Sequence, residues 1–276
     1  MLDTIKPMAT QKTDPLLEKL SVISAIILLT YAVTSFVNLP SAEIKWNVFG
    51  AVYNFTFDLK TYITILVPAF AGVGAYWLVK THPAYSEDRY PLQHSILPAL
   101  TAWVIGLPLT QMSNDSTRWI VFLLGGAMLI VTLTAEYVVV DIKSEQHVLA
   151  SGLLKALSLA MFFFVLFSVR VNILRLYMLL PAVGLTAFFI LLRVFYLQTG
   201  GKWLVNWAAV ITILIAQMAL GLHYLAVRPV SYGLILLGPY YALIDFATAY
   251  PFKRGRENLW LGLAMMLVFL LLAFIL

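Results

Sequence analysis

A small set of charged side chains inside apolar segments could do chemistry in this protein. The members are Glu136, Tyr137, Asp141, Lys155, Arg193 and Asp245. Ionisable groups within a bilayer are energetically unfavourable, and by default they indicate a function. At one level near the inner leaflet, they could bind an anionic headgroup or relay a proton. The alternative is a charge network that fixes helix packing, with the Lys and Arg stems reaching towards water.

Glu136 and Lys155 are predicted to lie at similar depths in two adjacent helices. The loop between these helices runs from Asp141 to His147, with Glu136 five residues before it and Lys155 eight residues after it. At 1.5 Å per residue, Glu136 lies about 7.5 Å below Asp141. We therefore predict an ion pair between Glu136 and Lys155. Glu136 is then either its structural partner or an acid or base in a reaction.

A second group of polar residues is predicted at the opposite ends of the helices. It comprises Arg170, Arg175, His223 and Tyr224. These side chains could hold an acidic group at the outer surface. The alternative is that they anchor helix ends in the membrane interface, where aromatic and basic residues are common.

The sequence lacks the motifs of several chemistries. It contains no cysteine, which excludes disulfides, thiolate nucleophiles and cysteine-bound metals. Its four histidines include no pair at the i, i+4 spacing of a helical zinc site. No G-x-S-x-G nucleophile elbow is present. We therefore predict neither a metal nor a cofactor, and the sequence identifies no catalytic residue.

The composition indicates that the elements carrying these residues lie in a membrane. Of 276 residues, 62% are hydrophobic and only 11% are charged, whereas soluble domains have about 45–50% apolar and about 25% charged residues. The sequence predicts an all-α integral membrane protein with one polytopic domain, residues 1–276, whose main partner is the lipid bilayer. The net charge of +5 fits basic cytoplasmic loops and does not predict a nucleic-acid partner.

Hydropathy predicts a bundle of about nine transmembrane helices. A span needs about 20 mostly apolar residues, and such segments lie at 19–37, 62–79, 95–112, 118–140, 148–169, 173–197, 203–227, 230–249 and 259–276. The third contains Pro98 and Pro108. It is either a discontinuous helix, as in transporters, or a packed helix that tolerates proline.

Small residues predict where helices approach closely in lipid. Ala71, Gly72, Gly74 and Ala75 lie in the second predicted span, and Gly125 and Gly126 lie in the fourth.

The segment 40–60 is predicted to form a small extracytoplasmic β-hairpin between the first two helices. Apolar and polar residues alternate on both sides of Gly50, which is typical of paired strands. The alternative is an amphipathic segment in the membrane interface. Because a lone hairpin is marginally stable in water, this segment could contact other membrane subunits.

The distribution of basic residues predicts the orientation. With the N-terminus in the cytoplasm, cytoplasmic segments hold eleven Lys and Arg residues and the opposite side holds six. This bias favours a cytoplasmic N-terminus and an extracytoplasmic C-terminus. Residues 1–18 are predicted as a short cytoplasmic tail. Within it, Asp14-Pro15 is typical of a helix start.

Three motifs in the first half of the chain resemble an uncharacterised bacterial family of polytopic membrane proteins, a domain of unknown function. They are Trp46-Asn-Val-Phe-Gly50, His94-Ser-Ile-Leu-Pro98 and Ala135-Glu136-Tyr137-Val-Val-Val-Asp141. The resemblance implies a bacterial plasma (inner) membrane and assigns no activity.

The function predicted from the sequence is that of a non-enzymatic accessory or assembly component of a membrane complex. Two alternatives stay open. One is a transporter of a small solute or lipid, and the other is an intramembrane enzyme acting on a lipid or isoprenoid with Glu136 as acid or base.

Overall fold

The protein is a bundle of helices with a pair of short strands between the first two. The computed structural model describes residues 15–33, 36–37, 42–48, 51–85, 92–112, 116–172, 175–252 and 256–276. Within these ranges the elements are α1 (Pro15–Val33), β1 (Ala42–Val48), β2 (Ala51–Phe57), α2 (Leu59–Lys80), α3 (Gln93–Gln111), α4 (Ser116–Val138), α5 (Gln146–Val171), α6 (Leu176–Gln198), α7 (Val205–His223), α8 (Pro229–Phe252) and α9 (Arg256–Ile275).

The nine helices in this described part of the chain fall where the nine spans are predicted. Seven of them, α1, α2 and α4 to α8, are long and apolar enough to cross a membrane. Trp260–Ile275 of α9 is a shorter apolar segment. Length and composition thus support a membrane protein, because a segment of this kind satisfies its own backbone groups in lipid.

The start of α1 agrees with the helix start predicted from Asp14-Pro15. The helix begins at Pro15, so residues 15–18 of the predicted cytoplasmic tail are helical, and the side of the membrane on which they lie stays a prediction. The reason is local: proline has no N–H to lose at the first helical position, and its fixed φ suits the helix. The rest of the predicted tail, residues 1–14, lies outside the described residues.

Strands β1 and β2 form a two-stranded antiparallel sheet. Ala42 lies opposite Phe57 and Val48 lies opposite Ala51. Helix α2 begins at Leu59, directly after β2. Residues 40–41 and 49–50 of the predicted segment lie outside the described residues.

Two apolar cores meet at α3. Buried residues of α1 to α4, among them Ile27, Val67 and Leu129, form one core. The second core is formed mainly by α5 to α8 and includes Phe162 and Ile190. Helix α3 contributes Ala102, Ile105 and Leu109 to the first core and Leu97 and Val104 to the second. It therefore lies in the middle of the bundle.

The central position of α3 explains its unusual sequence. The helix is continuous from Gln93 to Gln111 and contains both Pro98 and Pro108. The predicted alternative of a discontinuous third span is therefore wrong. Neighbouring helices surround α3, so it can carry prolines and buried polar residues that would be unfavourable against lipid.

The small residues of α2 and α4 lie at close helix contacts, which confirms that prediction. A Cβ on Gly74 would lie 2.7 Å from Ile23 of α1, and one on Gly125 would lie 2.6 Å from Ile105 of α3. Gly106 of α3 has the same role, because a Cβ there would lie 2.7 Å from the Tyr31 hydroxyl. That hydroxyl donates a hydrogen bond to the carbonyl of Ala102 and so ties α1 to α3.

We predict that Gly125→Ala destabilises the bundle by about 1–3 kcal/mol, because the new methyl group overlaps a branched side chain that cannot rotate away. Gly152→Ala is the matched control, since nothing lies within 4 Å of its Cβ position and alanine is the better helix former. Thermal unfolding in detergent should show a lower midpoint for the first variant only. Equal midpoints for the two variants would contradict this packing.

Candidate functional site

Three buried side chains from three helices meet at one end of the bundle. Glu136 lies near the end of α4, Arg193 lies near the end of α6, and His94 is the second residue of α3. Helix α3 starts at the end of the bundle where α4 and α6 finish. The three side chains therefore lie at the same level along the bundle. We call them the His–Glu–Arg cluster.

The cluster is held by hydrogen bonds between charged groups. Arg193 Nε donates to Glu136 Oε1 over 2.9 Å, and Arg193 Nη2 donates to Oε2 of the same carboxylate. His94 Nδ1 lies 2.7 Å from Glu136 Oε2. This two-point contact between a guanidinium and a carboxylate is the strongest kind of ion pair in proteins.

The contacts fix the proton on the His94 ring. An ionised carboxylate only accepts hydrogen bonds, so Nδ1 must carry the proton that it shares with Glu136. Arg193 Nη2 also lies 3.1 Å from Nδ1. Because both atoms are then donors, that approach is a close contact and not a second hydrogen bond.

Because the side chains of the cluster are buried, the stability of the protein depends on the pairing of their charges. Arg193 is 0% exposed, Glu136 1% and His94 8%. An uncompensated charge at such depth is highly unfavourable. Glu136 therefore needs the guanidinium of Arg193 on α6 and the hydrogen bond from His94 on α3, and it joins the three helices at this end.

A polar cavity adjoins the cluster. It has a volume of about 240 Å³. Its polar lining side chains are Tyr85, Gln93, His94, His147, Arg193 and Tyr196. Among the described residues that line it, none is Asp or Glu. The cavity therefore presents one arginine and two histidines without an opposing carboxylate on its wall.

Hydrogen bonds fix the orientation of other polar side chains in the wall. Gln93 donates from Nε2 to the Tyr196 hydroxyl over 3.0 Å, which links α3 to α6. His147 Nδ1 lies 3.1 Å from the carbonyl oxygen of Val139. Because a carbonyl only accepts, this nitrogen carries the ring proton. The wall is thus built before any ligand arrives.

Two glycines close the cavity where α6 ends. Gly200 has φ +67° and Gly201 has φ +102°, a region that favours glycine. The Gly201 N–H donates to the carbonyl of Tyr196 over 2.9 Å, which is the long-range bond of a Schellman helix end. This turn brings both glycines into the cavity lining.

The predicted ion pair between Glu136 and Lys155 is wrong. Lys155 instead binds Asp245 of α8, with 2.8 Å between Nζ and Oδ1, and its ammonium lies 4.5 Å from the centre of the Tyr241 ring. The predicted inner cluster is therefore two separate pairs in the structure, Glu136 with Arg193 and Lys155 with Asp245. The second pair is less buried, since the Lys155 side chain is 20% exposed.

Tyr137 and Asp141 follow Glu136 in the sequence. Each contacts a residue outside the His–Glu–Arg cluster. The Tyr137 ring meets the His82 ring edge to face, at 4.4 Å between centroids. Asp141 Oδ1 accepts a hydrogen bond from the Lys143 backbone N–H. Burial lowers the pKa of His82 below its ordinary value, and the charge of Asp141 acts in the opposite direction.

In the second predicted group, the Arg170 side chain is bound to backbone carbonyls. Arg170 donates to the carbonyls of His223, Leu225 and Val227, so its guanidinium closes the end of α7. Arg175 and Tyr224 are exposed. Arg170 thus uses its donors on protein carbonyls at and after a helix end, and both predicted roles of this group, binding an acidic group or anchoring helix ends in the membrane interface, stay predictions.

Comparison of the sequence with known protein families identifies the family of this chain. A family model described as protein of unknown function (DUF5656) matches residues 39–276. The chain belongs to this family. The resemblance to an uncharacterised family is thereby confirmed, and it reaches beyond the first half of the chain, to which the three motifs are confined. No curated protein and no solved structure matches the chain.

The part of the chain that matches the family contains every residue of the cluster and the cavity wall. It excludes α1, which lies before residue 39. Among the described residues, no group of three or more His, Asp or Glu side chains is arranged to hold a metal ion. The side chains at the site carry a charge pair, imidazoles and hydroxyls.

Sequence reasoning missed His94, His147, Gln93 and Tyr196. One signal was present for His94, which opens a segment too polar to face lipid, so its helix had to be central. No comparable signal marks Tyr196 or His147, whose roles depend on which helices become neighbours.

We predict that Glu136→Gln destabilises the protein by about 3–5 kcal/mol, because it leaves the buried Arg193 without a counter-charge. Asp245→Asn is the control and should have a clearly smaller effect, since Lys155 can reach water. Thermal unfolding in detergent gives both values. Addition of Arg193→Met to Glu136→Gln should recover part of the loss, and a double variant no more stable than Glu136→Gln alone would contradict the pairing.

Proposed function

We propose that this chain is a non-enzymatic, multi-pass membrane protein that binds a small anion in the cavity beside the His–Glu–Arg cluster. The supporting observation concerns Arg193. It lines the cavity, is fully buried, and its Nη1 has no hydrogen-bond partner in the part of the chain that the structure describes. A buried donor without a partner is unfavourable, and an anion in the cavity would supply one.

The pairing with Glu136 prepares Arg193 for this role. Glu136 binds Nε and Nη2, which holds the guanidinium plane still and leaves the hydrogens of Nη1. A fixed guanidinium suits the geometry of phosphate and carboxylate oxygens.

The cavity volume restricts the bound group to a small one. Sites for drug-sized molecules are about 300–1,000 Å³, and this cavity is about 240 Å³. It suits a phosphate or carboxylate group and not a whole large metabolite.

A wider role in a membrane complex fits this proposal. The paired strands β1 and β2 would lie on the extracytoplasmic side. Because two strands alone are marginal in water, they would gain stability by packing on another subunit. The chain would then act as an accessory component that senses or retains an anion on the opposite side.

One contact favours a second candidate function, an enzyme that uses His94 as a general base. A carboxylate bound to Nδ1, as Glu136 is, orients an imidazole in the manner of acid–base catalysts. The two candidates differ in what they predict for His94→Gln. This change should abolish turnover in an enzyme, whereas a binding protein should retain anion binding with a modest loss of affinity.

We predict that inorganic phosphate raises the unfolding midpoint of the wild-type protein, at constant ionic strength set with chloride. Binding at ten times the dissociation constant should add about 1.4 kcal/mol of stability. The double variant Glu136→Gln/Arg193→Met, which has no charge in the pair, should not respond. The control variant Asp245→Asn/Lys155→Met loses the other charge pair and should respond like the wild type.

A second variant tests the same binding without changing a buried charge, so that a folding defect does not obscure the result. Ala84 is exposed and lines the cavity, so Ala84→Trp should block the cavity without disturbing the cluster. Loss of the phosphate response in this variant supports the proposal. A full phosphate response in both the blocked and the uncharged variants would overturn it.

We further propose that all nine helices cross the bilayer, with the N-terminus and the cavity on the cytoplasmic side and the C-terminus outside. The excess of basic residues on the cavity side supports this orientation. Because the chain has no cysteine, Ser41→Cys and Ser144→Cys can each be labelled alone. An impermeant maleimide added to intact cells should label position 41 and leave position 144 unlabelled until the cells are opened. Equal labelling of both positions would contradict this topology.

A further inference from the structure

A second depression in the surface, an apolar groove, lies beside the polar cavity. It has a volume of about 590 Å³. Its lining includes Val73 and Tyr76 of α2, Leu92 and Leu100 at the start and middle of α3, Phe189 of α6, and Trp203. Val73 is 67% exposed and Leu92 is 64% exposed, so the groove opens to the surroundings of the bundle.

The groove extends from the cavity end of the bundle towards the middle of the helices. Leu92 and Leu100 are eight residues apart in the sequence, which is about 12 Å at the helical rise of 1.5 Å per residue. Pro68, in the middle of α2, lines the same groove. This length suits a large part of one acyl chain.

Residues that line the groove lie next to residues that line the cavity at two places. The start of α3 contributes Gln93 and His94 to the cavity and Ser95 to the groove. Near the end of α6, Tyr196 lines the cavity, and Trp203, which follows that helix, lines the groove. Their ring centroids are 5.1 Å apart. A polar site for an anion and an apolar channel for a chain are thus side by side.

Basic and aromatic side chains mark the mouth of the groove. The Lys80 ammonium lies 4.7 Å from the centre of the Tyr76 ring, and Tyr76 lines the groove. Tyrosine, tryptophan and lysine are typical of the headgroup level of a membrane. Positive charge at this level attracts anionic lipids.

We propose that the groove and the cavity together bind one anionic phospholipid, with its phosphate-bearing headgroup in the cavity beside Arg193 and an acyl chain along the groove. This inference rests on the proposed anion-binding function and names the source of the anion. Lipid tails are as apolar as the groove, so the groove contributes position and packing and not a hydrophobic driving force. Selectivity must therefore come from the headgroup, and the groove must be open so that the acyl chain attached to the headgroup has a place to lie.

The test measures lipid binding to the full chain, purified in a non-ionic detergent, by native mass spectrometry. The probes are palmitoyl-oleoyl phosphatidylglycerol, the corresponding phosphatidylcholine, and glycerol 3-phosphate as a headgroup without chains. The wild type should bind the anionic lipid at least about tenfold more tightly than the zwitterionic one, a difference of about 1.4 kcal/mol. Equal binding of the two lipids would overturn the proposal.

One variant and its control distinguish binding of a whole lipid from binding of the headgroup anion alone. Val73→Trp should fill the groove, and because Val73 is exposed the larger side chain has room. It should weaken phosphatidylglycerol binding about tenfold or more while glycerol 3-phosphate still stabilises the protein. Val210→Trp of α7 is the matched control, since Val210 is 50% exposed and does not line the groove.

The outcomes distinguish this inference from the function on which it rests. Undiminished lipid binding by Val73→Trp, with stabilisation by glycerol 3-phosphate intact, would overturn the lipid and retain the anion site. Absence of stabilisation by glycerol 3-phosphate and by inorganic phosphate in the wild type would overturn both. Loss of phosphatidylglycerol binding in Val73→Trp and in Glu136→Gln/Arg193→Met, but not in Val210→Trp, would support both.

Discussion

The structure depends on one buried carboxylate. Glu136 is almost completely removed from solvent, and its charge is balanced by Arg193 of α6 and bound by His94 of α3. In a region without water such a group must be paired or neutral. The pairing therefore fixes how three helices meet, and the polar cavity exists because those helix ends are held together around it.

The hydropathy of the sequence predicted the number and order of the helices, because a span has a minimum length and a composition that lipid imposes. It could not settle the nature of the third segment. Pro98 and Pro108 are compatible with a broken helix exposed to a cavity and with a whole helix inside a bundle. What decides is the set of neighbours around α3, which is a tertiary property.

The sequence predicted the level of the site residues along the bundle, but it did not predict towards which helices their side chains point. The fixed rise of a helix gives the level of a residue along the membrane normal, and Glu136 and Arg193 do lie at one level. The side to which Glu136 turns depends on helix packing. Lys155 was the cation expected at the depth of Glu136 on the next helix, whereas the structure turns Glu136 towards α3 and α6 and pairs Lys155 with Asp245. His94 was unrecognised for the same reason, since nothing local shows which helix its ring will meet.

The central position of α3 has a consequence for biosynthesis. The carboxylate at position 136 leaves the ribosome well before the guanidinium at position 193, and α3 with its imidazole is made earlier still. Until α6 has been translated, His94 and Glu136 can bind each other, but the arginine that balances the carboxylate does not yet exist. The charge balance at this end of the bundle can therefore be completed only after the sixth helix has been made.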